Sequence, residues 1–220
     1  MILNAHGVVL SRRNLGEYDR LSLIFTEPFG KIPVRFGGVN RPAGKLKALS
    51  EPAVWAEYRL HLSPRSEFAR CVGGSLVSTF PGVREDLPRT TAALYCCEFL
   101  ERLTAEHAPS PEKYLLLCAT LAALERSPSR WLSLAFGLRL MDLAGFSLRE
   151  RPPAAAARVW EALHETEPAE LAGLAFDRDA AAESRRLLES HYEVQTGRRL
   201  KTAEFRESLR AAPRPEGVTA

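Results

Sequence analysis

Val54-Trp55-Ala56-Glu57-Tyr58-Arg59-Leu60-His61-Leu62 alternates with a period of two. Val54, Ala56, Tyr58, Leu60 and Leu62 make one apolar face, while Trp55, Glu57, Arg59 and His61 make the other, the pattern of a strand buried on one side. Working outward, Ser63-Pro64-Arg65-Ser66 turns this strand back into Phe68 to Val72. Upstream, Ile32, Val34 and Phe36 alternate with Pro33 and Arg35, and the turn Glu27-Pro28-Phe29-Gly30 joins them to Leu21, Leu23, Ile24 and Phe25 as a hairpin. Val8, Val9 and Leu10 precede the break at Ser11-Arg12-Arg13-Asn14. Four or five short antiparallel strands in about 80 residues are the size of an OB-type β-barrel.

Past Phe80-Pro81-Gly82 the apolar period becomes 3.6. Ala92, Cys96, Phe99, Leu100 and Leu103 line one helix, which Ala108-Pro109-Ser110-Pro111 ends, and Tyr114, Leu117, Cys118, Leu121 and Leu124 line the next. A third helix opens near Ser129, carries Trp131, Leu134, Ala135, Leu138 and Met141 on one face, and stops at Gly145 as a left-handed cap. Residues 146–177 read as short helical pieces in an irregular connection. A strong helix with Leu187, Leu188, His191 and Tyr192 follows, then a terminal helix expected to dock through Phe205 and Leu209. The fold class is therefore α+β, an N-terminal OB-type five-stranded barrel followed by an all-α part. The expected division is residues 1–80, 81–210 and a disordered tail at 211–220, rich in proline.

Charge is divided unevenly between these parts. The chain of 220 residues carries a formal net charge of +3, too near neutrality to name a partner. Residues 1–80 hold eleven Lys and Arg against six Asp and Glu, and the remainder is mildly acidic. Such asymmetry suits a first half that meets an anion and a second that meets protein. The N-terminus has no basic and apolar leader pattern, and no apolar run approaches the roughly 18 residues of a membrane span, so a cytoplasmic protein is expected.

The cationic excess concentrates in Phe36-Gly37-Gly38-Val39-Asn40-Arg41-Pro42-Ala43-Gly44-Lys45-Leu46-Lys47, which has three glycines and three cations but no acid. Hung between strands, it reads as a flexible loop for a polyanion, with Arg12, Arg13, Arg35, Arg41, Lys45 and Lys47 as candidate DNA contacts. Contacts of this kind bind phosphate without reading sequence. Trp55 could stack on a base, or pack against the helices. The alternative is a protein-interaction adaptor, which would present an apolar rather than a basic barrel face.

Catalytic patterns are missing. His6, His61, His107, His164 and His191 are scattered, and Leu46 follows Gly44-Lys45 where a nucleotide-binding loop needs a hydroxyl. Cys71, Cys96, Cys97 and Cys118 form no Cys-x-x-Cys pair and read as buried reduced thiols, so neither enzyme chemistry nor a metal is expected.

Several blocks in order resemble the RecO family of bacterial recombination mediators. These are Glu17-x-Asp19-Arg20 with Phe25-Thr26 and Gly30-Lys31, then Gly37-Gly38 and the basic run after it. Phe80-Pro81-x-x-Arg84-Glu85-Asp86-Leu87 with Glu98 and, later, Phe136-x-Leu138-x-Leu140 with Ala144-Gly145-Phe146 complete the series. The resemblance implies binding of single- and double-stranded DNA, strand annealing, and partnership with RecR and with the acidic C-terminal tail of single-stranded DNA-binding protein. Arg126, Arg130 and Arg139, flanking the second and third helices, are candidates to hold that tail. Many family members carry two zinc-binding Cys-x-x-Cys pairs after the third helix. Here no cysteine occurs from 119 to 220, and no zinc is expected.

Overall fold

The computed structural model describes residues 1–42, 44–64, 66–175 and 177–211. Residues 212–220, most of the expected tail, lie outside it. Five strands, β1 (Ile2–Leu15), β2 (Asp19–Thr26), β3 (Gly30–Phe36), β4 (Trp55–His61) and β5 (Ala69–Ser78), close a barrel in the order β1-β2-β3-β5-β4. Closure corrects one expectation. The β3–β5 pair, Val34↔Ala69 to Phe36↔Cys71, is parallel, because β5 returns to the barrel's open side after β4 has paired with β1.

Inward residues follow the predicted alternation. Val9, Ile24, Val34, Phe36, Ala56, Tyr58 and Leu60 are fully buried, and Phe36 meets Tyr58 edge to face at 6.3 Å. A short 3-10 turn at Ala48–Ser50 plugs one end, where Tyr58 Oη donates to the Leu49 carbonyl at 3.1 Å.

Helices α1 (Pro81–Arg84), α2 (Leu87–Leu103), α3 (Pro111–Arg126) and α4 (Arg130–Leu143) follow. Ser110 and Ser129 cap α3 and α4 as N-terminal acceptors. Gly145, at φ 83°, takes the left-handed position that ends the third long helix. A bulge in β1 at Val9–Ser11 lets this strand bury both faces. Val9 points into the barrel, while Val8, Leu10 and Phe25 join the helical core with Phe99, Leu100 and Trp131. Trp55 settles on the packing side of its two readings, donating from Nε1 to Tyr114 Oη at 3.0 Å.

Lys31 fastens the two halves together. Its Nζ donates to the carbonyls of Glu101 and Thr104, each at 2.6 Å, at the C-terminal end of α2, and its own carbonyl accepts from His107 N. A cation there also complements the helix dipole. Burial draws its pKa below the usual lysine range.

The connection after α4 contains α5 (Ala157–Glu165) and α6 (Pro168–Leu171), anchored by buried Trp160, Leu163 and Leu171. Then come α7 (Arg178–Thr196) and α8 (Lys201–Ala211). Here the docking expectation is corrected: Phe205 and Leu209 are about half exposed. The helix α8 packs through Leu200 and Ala203, with Glu98 accepting from Lys201 N and Thr202 N at 2.9 Å and Arg206 pairing with Glu189 at 2.7 Å. Phe205 and Leu209, four apart, fall on another face of the same helix. None of the described helices is long and apolar enough to cross a membrane.

The buried His164 contacts Asp142 through Nδ1 at 3.0 Å, while its Nε2 is buried without a hydrogen-bond partner among the described residues. Burial outweighs the carboxylate and holds its pKa below the ordinary 6.5. The unfolded chain therefore takes up a proton first. Stability from the neutral ring is complete above 6.5 and is lost as pH falls through the interval below it. Thermal melts on acidification toward about pH 5 should show a smaller fall in Tm for His164→Gln than for the parent; parallel curves would refute this.

Candidate nucleic-acid interface

Strand register builds one row on the barrel's outer wall. Arg13 on β1 opposes Leu21 on β2, Leu21 opposes Arg35 on β3, Arg35 opposes Arg70 on β5, and Arg70 opposes His61 on β4. Opposed residues share a face, so Arg13, Arg35 and Arg70 lie along a single cross-strand line. All three are exposed. Arg70 was not among the expected contacts, because it becomes part of the row only through the parallel pairing of β3 with β5.

Above this row stands the loop 37–47, whose first half is more firmly held than a flexible arm. Asn40 N donates to the Tyr18 carbonyl at 3.0 Å, and Arg41 N and Gly44 N close successive turns on Gly38 O and Arg41 O. Asp19 accepts from Gly38 N at 2.8 Å and from Arg35 Nε at 2.8 Å, with Arg35 Nη2 at 2.5 Å. The Gly38 amide, followed by the Arg35 guanidinium, holds the Asp19 carboxyl below the usual carboxylate range. Arg41 lies over the Tyr18 ring, 4.8 Å from its centroid. Between Asp19, Arg35, Gly37, Gly38, Arg41 and Arg70 is a cavity of about 350 Å³.

The other expected contacts differ in availability. Lys45 and Lys47 are exposed on either side of half-buried Leu46, which packs on the barrel core. Arg12 is engaged by Glu51 at 3.1 Å. Arg20, which contributes to the sequence surplus, is only 3% exposed and serves Ser50 and Glu51 at 2.7 and 2.8 Å. Surface charge on the barrel is thus smaller than the residue count suggests but better aligned. The same barrel exposes Val72, Leu76 and Val77 on β5.

A second concavity, about 650 Å³, opens between α2, α4, α7 and α8. Leu87, Leu124 and Leu209 supply apolar lining, and Arg89, Arg178, Arg186 and Arg206 surround it with Glu189 and Glu207. The Tyr95 hydroxyl, in the same wall, is buried without a hydrogen-bond partner among the described residues. Of the three arginines expected to hold an acidic tail, Arg126 is exposed, and the Arg130 side chain lies outside the described part. Arg139 instead donates to the carbonyls of Leu163 at 3.0 Å and of Thr166, tying α4 to the end of α5. Neither Arg126 nor Arg139 is among the described residues that line the groove. The arginines that do line it, Arg89, Arg178, Arg186 and Arg206, do not stand out in the sequence, since α7 and α2 are far apart in the chain.

No group of three or more His, Cys, Asp or Glu among the described residues is arranged to hold a metal ion. Cys71, Cys96, Cys97 and Cys118 are all buried, and desolvation raises their thiols, Cys71 to about 11 and Cys97 and Cys118 to about 12.

Residues 1–80 match the family model for the recombination protein O N terminal, and residues 84–152 that for the recombination protein O C terminal. The chain is 33% identical over 144 residues to the DNA repair protein RecO of Myxococcus xanthus, covering 64% of this chain and 58% of that one. It is 29% identical over 146 residues to the protein of that name from Pelotomaculum thermopropionicum, covering 66% and 56%. Against the Bacillus subtilis protein of that name it is 28% identical over 124 residues, covering 56% and 48%. The chain spans about half the length of the curated relatives it matches.

Proposed function

The chain belongs to the RecO family, and from that premise we propose that it is a non-catalytic DNA repair and recombination mediator. Its barrel binds single- and double-stranded DNA through phosphates. The observation that carries this reading is the alignment of Arg13, Arg35 and Arg70 on one outer row, with Arg41, Lys45 and Lys47 above it. Guanidinium and ammonium groups spaced along a wall meet a backbone of repeating charge without reading bases. A protein that anneals two unrelated strands requires such indifference to sequence.

The helical half, residues 81–210, takes the partners, and residues 1–80 the DNA. The groove beside α7 and α8 supports this assignment: an apolar floor ringed by arginines suits the acidic, apolar-ended C-terminal tail of single-stranded DNA-binding protein. With DNA coated by that protein on one half and RecR engaged, the chain would help a recombinase displace the coat, in the cytoplasm and on the nucleoid.

Affinity for an oligonucleotide measured across a salt series tests the central claim. The logarithm of affinity is expected to fall linearly with the logarithm of salt, with a slope near −0.7 for each phosphate contacted on a single strand. A flat dependence would remove the phosphate reading.

A further inference from the structure

We propose that the cavity between Arg35, Arg41 and Arg70 seats the terminal phosphate monoester of a DNA strand, so that this barrel prefers phosphorylated strand ends. The inference rests on the reading that the barrel binds DNA. Three guanidiniums and one carboxylate line the cavity. Asp19 is committed to Arg35 through Oδ2 and to Gly38 N through Oδ1, and these bonds keep it ionised. Arg35 is thereby oriented, its Nε and Nη2 both turned to Asp19. Arg41 rests on the face of Tyr18, and neither it nor Arg70 forms an ion pair among the described residues.

One carboxylate, felt by both Arg35 and Arg41, against three guanidiniums leaves a surplus of two positive charges around one concavity of about 350 Å³. An internal phosphodiester brings a single negative charge and would leave one guanidinium unmatched. A terminal phosphate carries roughly 1.5 to 2 negative charges at neutral pH, because its second ionisation lies near pH 6, and it offers three oxygens. Gly37 and Gly38 line the cavity without side chains, so a bulky group can approach the backbone closely there. Arg13, farther along the same row, lies where the strand leading away from its seated end would pass.

The test compares a short oligodeoxythymidylate carrying a 5′-phosphate, a 3′-phosphate or only hydroxyl ends, by fluorescence anisotropy. One phosphorylated form is expected to bind about fivefold more tightly than the hydroxyl form, and which one identifies the polarity of the seated strand. The gain should shrink as pH falls through about 6 and vanish in Arg70→Gln and Arg41→Gln. Equal affinities for all three oligonucleotides, or a gain that survives both substitutions, would overturn the seat while leaving ordinary phosphate binding intact. Absence of salt-sensitive binding to any of them would instead strike the DNA reading, and the seat with it.

Discussion

Replacing Arg41, Lys45 and Lys47 together by alanine is expected to weaken single-stranded DNA binding by about one to two orders of magnitude at moderate salt, and to reduce the salt slope by about 2. The three side chains are exposed, and none forms an ion pair among the described residues. Their removal takes away the proposed phosphate contacts without leaving a buried partner unsatisfied. Backbone turns at Gly38, Arg41 and Gly44 and the packing of Leu46 stay in place, so the melting temperature should hardly move. Loss of affinity with unchanged stability would separate a binding loop from a solubilising one. Unchanged affinity and slope would show that the loop merely borders the site.

Gly30→Ala is expected to destabilise the fold by about 2–4 kcal/mol. Gly30 occupies φ 65°, and a Cβ there would stand 2.3 Å from the carbonyl oxygen of Ala108. That oxygen belongs to backbone and cannot swing aside. The methyl group would push the α2–α3 connection off the barrel, close to the bonds that Lys31 makes to Glu101, Thr104 and His107. Urea denaturation should report the loss as a lower midpoint at similar slope. A variant within about 0.5 kcal/mol of the parent would mean that this connection is looser than its hydrogen bonds indicate.

Which features could be read from the chain depends on the range of the interactions that set them. The alternation in 54–62 and the 3.6-residue spacing in the helices are local, and both appear where expected, as do the caps at Ser129 and Gly145. Arg20 looks like a solvated charge beside Asp19, yet it is buried because Ser50 and Glu51, some 30 residues later, close over it. Arg70 gains its place beside Arg35 from a parallel pairing that only barrel closure creates. The groove arginines come from helices separated by most of the helical half. Phe205 and Leu209 stay about half exposed for a related reason. Their spacing marks a helix face correctly, but which face of α8 meets the core is decided by Glu98 and Glu189 on other helices.

The double burial of β1 has a consequence for inheritance. Val8 and Leu10 fill space against α2, whereas Val9 between them belongs to the barrel. A change of volume at either outer position must be answered by residues such as Cys97 or Leu100, and one at Val9 by the opposite strands. Related chains can therefore exchange their first 80 residues only together with a compatible α2, and drift along β1 is answerable to two neighbourhoods at once.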